Sequence, residues 1–230
     1  MNSYEIIKID DSTWRIEDNG VRFFLLSGDD YSLLIDTGMN VKNVKAIAQS
    51  LTDKPIKLIN THADPDHIGA NCEFSSFMMN TLELDNYNIY QKCSGKVIPV
   101  NDHEIINIGG RSLEVIFIPG HTPGSIALLD IERRVLFSCD TIQAGNIFLF
   151  GPMRNIKTYL QSLESLNSLK DRFDFIYPSH ANPVLDPNII EKLIEGTKAV
   201  IDNKLSYSDA SLFGQKIKVY DIGCAKLLLN

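Results

Sequence analysis

The chain runs twice through the same order of elements, and that order restricts its fold more than any single residue does. Residues 21–28 (VRFFLLSG) and 31–38 (YSLLIDTG) flank a Gly-Asp-Asp turn, the pattern of a β-hairpin. Apolar residues at 41, 44, 47, 48 and 51 then recur at helical spacing. IKLIN follows as a short buried strand and ends in Thr61-His62. In the second half SIALLD and RVLFSCDT flank a short polar turn. A second apolar stripe at 156, 159, 160, 163, 166 and 169 predicts another amphipathic helix. FDFIYP closes the half as a strand and ends in Ser179-His180. Each half thus reads hairpin, Asp-Thr, helix, strand, Thr/Ser-His. This duplication of order suggests two sheets related by a pseudo-twofold, with helices outside them. Strands alternating with helices exclude an all-α fold and a plain β-sandwich and set the class as α/β. With 230 residues and no linker or low-complexity stretch, a single domain over 1–230 is expected.

The chemistry is concentrated in the loops after the strands. The segment NTHADPDHIGAN places His62, Asp64, Asp66 and His67 within six positions, directly after a strand. Pro65 stiffens this loop and Gly69 permits a sharp exit. A metal ion needs several fixed N and O donors, and imidazole with carboxylate suits Zn, Fe and Mn. For a lone His or Asp, a polar turn or helix cap is the ordinary explanation. Two of each in one short loop are harder to dismiss. His121 in PGHTPGS, Asp140 in FSCDT and His180 in YPSHANP add three donors of the same kind, each on a loop at a strand end.

These residues carry a resemblance to the metallo-β-lactamase superfamily, whose pattern is HxHxDH followed by a distant His, Asp and His. Here it stands as His62-Ala63-Asp64-Pro65-Asp66-His67, then His121, Asp140 and His180; LLIDTG at 33–38 resembles the family's early strand-turn. The resemblance covers nearly the whole chain. It implies a four-layer αββα sandwich, two mixed β-sheets with helices on the outer faces, with metals at one sheet edge. It also implies roles. One metal would take His62, Asp64 and His121, a second Asp66, His67 and His180, and Asp140 would bridge them, with Asp66 and Asp140 also serving catalysis. A metal-bound hydroxide would attack an ester, thioester, lactone or amide, because a metal lowers the pKa of bound water to about 7.

Position 64 departs from the family, which usually has His there. Two divalent ions bring four positive charges. Asp66, Asp140 and a hydroxide remove three, and Asp64 removes the fourth. The oxygen-rich first site therefore suits Fe or Mn alongside the Zn that the resemblance implies. A carboxylate here also resembles flavodiiron proteins, and an iron-dependent redox enzyme of that kind, or a persulfide dioxygenase, is the alternative to hydrolysis. Bound metal without turnover is a further one. RNA-processing members carry an inserted domain for which the chain has no room.

The remaining features set expectations. The formal net charge is -7 and no Lys/Arg run occurs, which argues against nucleic acid as partner. The N-terminal stretch lacks the basic and apolar regions of a signal peptide, and no apolar run approaches the ~20 residues of a membrane span. Cys72, Cys93, Cys139 and Cys224 are far apart with no CxxC pair, so four reduced thiols in a cytoplasmic protein are expected. A small-molecule substrate, no membrane and a homodimer complete the expected partners. His103 falls where an exposed turn is expected, and Cys139 reads as a small buried side chain. The resemblance gives Asp36 and Thr37 a structural part, bonded to the metal loop's backbone. Phe74, Phe77, Met78 and Met79, and Ile147, Phe148, Leu149, Phe150 and Met153, are candidates either for core or for pocket wall. The long 142–154 loop lies where pockets are often built.

Overall fold

A computed structural model describes residues 4–91 and 93–230; residues 1–3 of the strand-like N-terminal stretch lie outside it. The chain divides into two compact units, Met1–Ile116 and Phe117–Asn230.

In the first unit β1 (Tyr4–Asp10), β2 (Thr13–Asp18), β3 (Val21–Ser27) and β4 (Ser32–Ile35) form an antiparallel meander. α1 (Val44–Gln49) then carries the chain to β5 (Ile56–Ile59), which lies parallel to β4. β6 (Ser76–Met79), α2 (Leu84–Tyr90) and β7 (Lys96–Pro99) extend the parallel part, giving a seven-stranded sheet in sequence order. β3 and β4 read as continuous apolar runs because they are covered on both faces; Phe23, Leu25, Leu33 and Leu34 are fully buried. The expected helical stripe holds, with Val44 and Ala48 buried and Ile47 and Leu51 packed against the same core. The helix is shorter than the stripe. It stops before Ser50, where the Gln49 side chain turns back to donate to Thr52 O and Lys54 O. β8 (Ile105–Asn107) and β9 (Ser112–Phe117) pair antiparallel near the end of the unit.

The second unit repeats the topology. β10 (Ile126–Asp130) and β11 (Val135–Cys139) form an antiparallel pair, and β13 (Phe175–Pro178) lies parallel to β11, after β12 (Asn146–Phe148) and α3 (Ile156–Ser168). β4–α1–β5 and β11–α3–β13 are therefore the same right of passage between parallel strands, as the duplicated order predicts. The unit adds what the sequence reading lacked: α4 (Ile189–Ile201) and the strands β14 (Ser208–Leu212), β15 (Gln215–Asp221) and β16 (Lys226–Leu229). These three and β12 make a four-stranded sheet in the order β12-β16-β15-β14. No helix among the described residues is long and apolar enough to cross a membrane.

The cysteines correct one expectation. Cys72 and Cys93 form a disulfide with Cα atoms 5.1 Å apart, and Cys139 and Cys224 are outside any disulfide. The sequence reading judged the four by separation along the chain, whereas β6 and α2 return residue 93 to the side of residue 72. Thiol titration of the unfolded protein without reductant should count two free thiols, and four after reduction. Cys72→Ser with Cys93→Ser should lower unfolding stability in urea by about 2–3 kcal/mol, from the loop it no longer closes. Four free thiols before reduction would contradict the pairing.

Candidate metal centre

In the first unit the strand ends do the positioning. β4 is followed directly by Asp36, whose φ of 64° is a left-handed conformation that Asp tolerates better than most residues. This turns its carboxylate under the loop that follows β5. Asp36 Oδ1 accepts from the Thr61 backbone N–H at 2.8 Å, and Oδ2 accepts from Thr61 Oγ1 at 2.7 Å. The same Oδ2 lies 2.8 Å from His67 Nδ1. A buried carboxylate needs such donors, since an unsatisfied one would be costly. The loop's exit is fixed separately. Thr37 N–H donates to His67 O at 2.9 Å, and Asn60 Nδ2 donates to the same oxygen. Gly69 is needed for close approach rather than for a special φ, because a Cβ there would run into Gly38 O and Met39 O.

These bonds decide the tautomers. Asp36 is an acceptor, so His67 Nδ1 carries the proton. Thr61 Oγ1 spends its proton on Asp36, so at 3.1 Å it accepts from His62 Nδ1. As neutral imidazoles both rings therefore present Nε2 with its lone pair. Carboxylates stand beside both nitrogens: Asp64 Oδ2 is 3.8 Å from His62 Nε2, and Asp66 Oδ2 is 3.9 Å from His67 Nε2. The two rings lie 4.0 Å apart by centroid.

The second unit holds its three donors by different means. Gly120, with φ of 134°, lets the loop pass against the backbone of Tyr159 in α3, where a Cβ would collide. Ser162 Oγ donates to Pro119 O at 2.6 Å, and Asn155 N–H donates to Gly120 O at 2.9 Å. The amphipathic helix read from the sequence is thus the clamp on the His121 loop. His121 Nδ1 lies 2.9 Å from Phe148 O, which only accepts, so here too Nε2 holds the lone pair. β11 ends in Cys139, left-handed at φ 45° and buried, which swings Asp140 out of the strand. Asp140 Oδ2 stands 3.7 Å from His121 Nε2 and 3.2 Å from His180 Nε2. Tyr159 Oη donates to Thr141 O at 2.9 Å; burial, with a smaller contribution from Cys224, raises its pKa, so it remains a neutral donor beneath this turn.

Ligand atoms about 2.1 Å from one ion in tetrahedral geometry stand about 3.4 Å apart. The N–O spacings within each unit lie around that value. Both donor sets, imidazole Nε2 with carboxylate oxygen, fit a divalent transition metal.

The expected minor residues fall as follows. His103 sits in a turn with φ 61°, its side chain 62% exposed and 2.8 Å from Glu114. Cys139 is buried as a small side chain. Asp36 does more than the backbone bonding expected of it, since it also orients His67. Two buried residues were missed. Glu83 accepts from Ala63 N–H at 2.8 Å, and Asn86 Nδ2 donates to Asp64 Oδ1 at 3.0 Å. The spacing Asn80-x-x-Glu83 is that of a capping box, a local explanation that conceals the reach of Glu83 to the metal loop.

The comparisons with known proteins agree with this geometry. A solved metallo-β-lactamase from Pontibacter korlensis superposes with a TM-score of 0.72 at 20% identity, covering 85% of this chain and 99% of that one, which shows the fold. The family model described as the metallo-β-lactamase superfamily matches residues 17–180. The chain belongs to the metallo-β-lactamase superfamily, and it is a metallo-hydrolase. Among curated relatives, acyl-coenzyme A thioesterase MBLAC2 of Bos taurus is 25% identical over 206 residues, 71% of this chain and 74% of that protein. A hydroxyacylglutathione hydrolase of Synechococcus sp. (strain JA-3-3Ab) is 29% identical over 90 residues, 39% of this chain and 36% of its own length.

Asp36→Asn leaves one acceptor oxygen where two are used, so either the Thr61 N–H or the Thr61 hydroxyl and His67 Nδ1–H face an amide donor. Competition against a chelator should show metal affinity about 10- to 100-fold weaker than in the parent. Unchanged affinity would mean that His67 is oriented without Asp36.

Proposed function

We propose that His62, Asp64, Asp66, His67, His121, Asp140 and His180 hold two divalent metal ions, with Asp140 bridging them, and that the protein hydrolyses an acyl thioester. The observation that carries the reading is the fixed tautomer of His62, His67 and His121. Three hydrogen bonds donated by Nδ1–H to three different acceptors leave Nε2 as the nitrogen that would ligate in each. In a neutral histidine whose Nδ1 proton is already bonded, Nε2 offers only a lone pair, and a carboxylate beside that lone pair is placed to share a cation with it. The metals would supply Lewis acidity at the substrate carbonyl and an acidified water. The chain's part is to hold its donors rigid. Thr61, Asp36 and Phe148 O orient the rings, and Asn86 holds Asp64 by one oxygen while the other faces His62.

The thioester is favoured among esters, lactones and amides because both curated relatives are named for acyl groups on thiol carriers, coenzyme A and glutathione. The iron redox alternative gains no support from these relatives. Zinc, iron and manganese all suit the donors, with Asp64 favouring the harder ions. The substrate is a small molecule, and a homodimer is the form we propose; the Cys72–Cys93 disulfide removes the reduced-thiol ground for a cytoplasmic location.

The test is thiol release from acyl-coenzyme A and acyl-glutathione by protein purified natively, then stripped with chelator and reloaded with Zn, Mn or Fe. Hydrolysis that is lost on stripping and restored by metal is expected. Equal rates in stripped and loaded protein would contradict the reading.

Asp64→His makes a second test. It exchanges a hard oxygen donor for imidazole and raises the charge of the site by one. Zinc should gain over manganese in competition for the metal-free variant, and the acid limb of the pH–rate profile should move to lower pH. Asn86 would lose its acceptor, at about 1–3 kcal/mol of stability. No gain for zinc and no shift of the profile would mean that Asp64 does not ligate.

A further inference from the structure

The 142–154 segment, which the sequence left open between core and pocket, is divided by the structure. Ile147 and Leu149 are core, and Phe150 packs with Ile217 and Leu228. Phe148 is only half-buried. With Asp140, Gln143, Asn146 and His180 it lines a cavity of about 360 Å³, to which it adds a large apolar surface beside two of the proposed ligands.

Phe213 packs against Phe148 and Phe150 and so adjoins this lining. Its ring lies edge-on to Phe148 at 6.3 Å and stacks with Phe150 at 6.5 Å, while Phe148 and Phe150 lie 5.6 Å apart. Phe213 and Gly214 form the two-residue turn of the β14–β15 hairpin, between the paired residues Leu212 and Gln215. Both turn residues have positive φ, 50° and 76°, the geometry for which Asn-Gly is the favoured sequence. A bulky aromatic in the left-handed region is an outlier. Phe213 is also 77% exposed. The residue is thus unfavourable for the turn and unfavourable for solvation, and its burial is too small to compensate. Such an outlier, beside the cavity of the proposed centre, points to use rather than to stability.

We propose that Phe213 and Phe148 form the wall along which the acyl chain of the substrate lies, and that Phe213 sets the preference for longer chains. The inference rests on the thioesterase reading above. Covering an apolar ring of this exposure with methylenes removes apolar area of both partners from water, which gives a chain-length dependence.

The test compares wild type with Phe213→Asn, a change that suits the turn and so preserves the hairpin. Rates are measured on coenzyme A thioesters from acetyl to dodecanoyl. In the wild type kcat/KM should rise about two- to fourfold per added methylene over the first part of the series. In Phe213→Asn the ratio of dodecanoyl to acetyl should fall at least several-fold. Parallel chain-length plots for the two proteins would overturn the inference. If the wild type hydrolyses none of the thioesters, the thioesterase reading fails, and the wall is judged by calorimetric titration with decanoate and acetate. Tighter binding of decanoate that depends on Phe213 would support the wall, and equal binding in both proteins would overturn it.

Discussion

The site in the first unit depends on one buried carboxylate. Asp36 accepts from the backbone and hydroxyl of Thr61 and from the ring of His67, and through Thr61 it also determines the proton on His62. One residue thereby fixes the entry of the metal loop and the tautomers of two histidines. A left-handed backbone at the end of β4 is what aims it. The cost of that conformation is small for Asp and is offset by three short hydrogen bonds to a charged group, each stronger than a neutral one.

The same device recurs in the second unit with its parts exchanged. There the left-handed residue is Cys139, and the Asp it aims is proposed to be a ligand and not a support. Asp36-Thr37 and Asp140-Thr141 occupy equivalent places after the second strand of a hairpin and before a helix that returns to a parallel strand. The duplication of order extends to a left-handed residue at the turn, which falls one position earlier in the second unit. One copy orients histidines through their Nδ1 atoms, and the other presents its carboxylate beside Nε2 atoms.

Much of this was legible in the sequence because periodicity and turn chemistry act locally. The two hairpins, the strand leading to His62, the stripe of α3 and the strand leading to His180 all stand where the pattern placed them. What escaped was set by tertiary contact. Glu83 and Asn86 look like helix-start residues, and only the folded chain shows them bonded to Ala63 and Asp64. Cys72 and Cys93 are distant in sequence and meet only because β6 and α2 return the chain. Residues 208–229 carry no strong alternation, so β14–β16 and the exposed Phe213 at their turn gave no signal that pointed to the cavity. The departure at position 64 was visible at once, but its support by Asn86 was not.

The most direct measurement is the metal content of natively purified protein, by elemental analysis, beside His62→Ala and His121→Ala. The proposed ligand set includes both histidines. It predicts about two divalent ions per chain in the parent and loss of metal in both variants. Full metal content in either variant, or a parent that binds none, would contradict it.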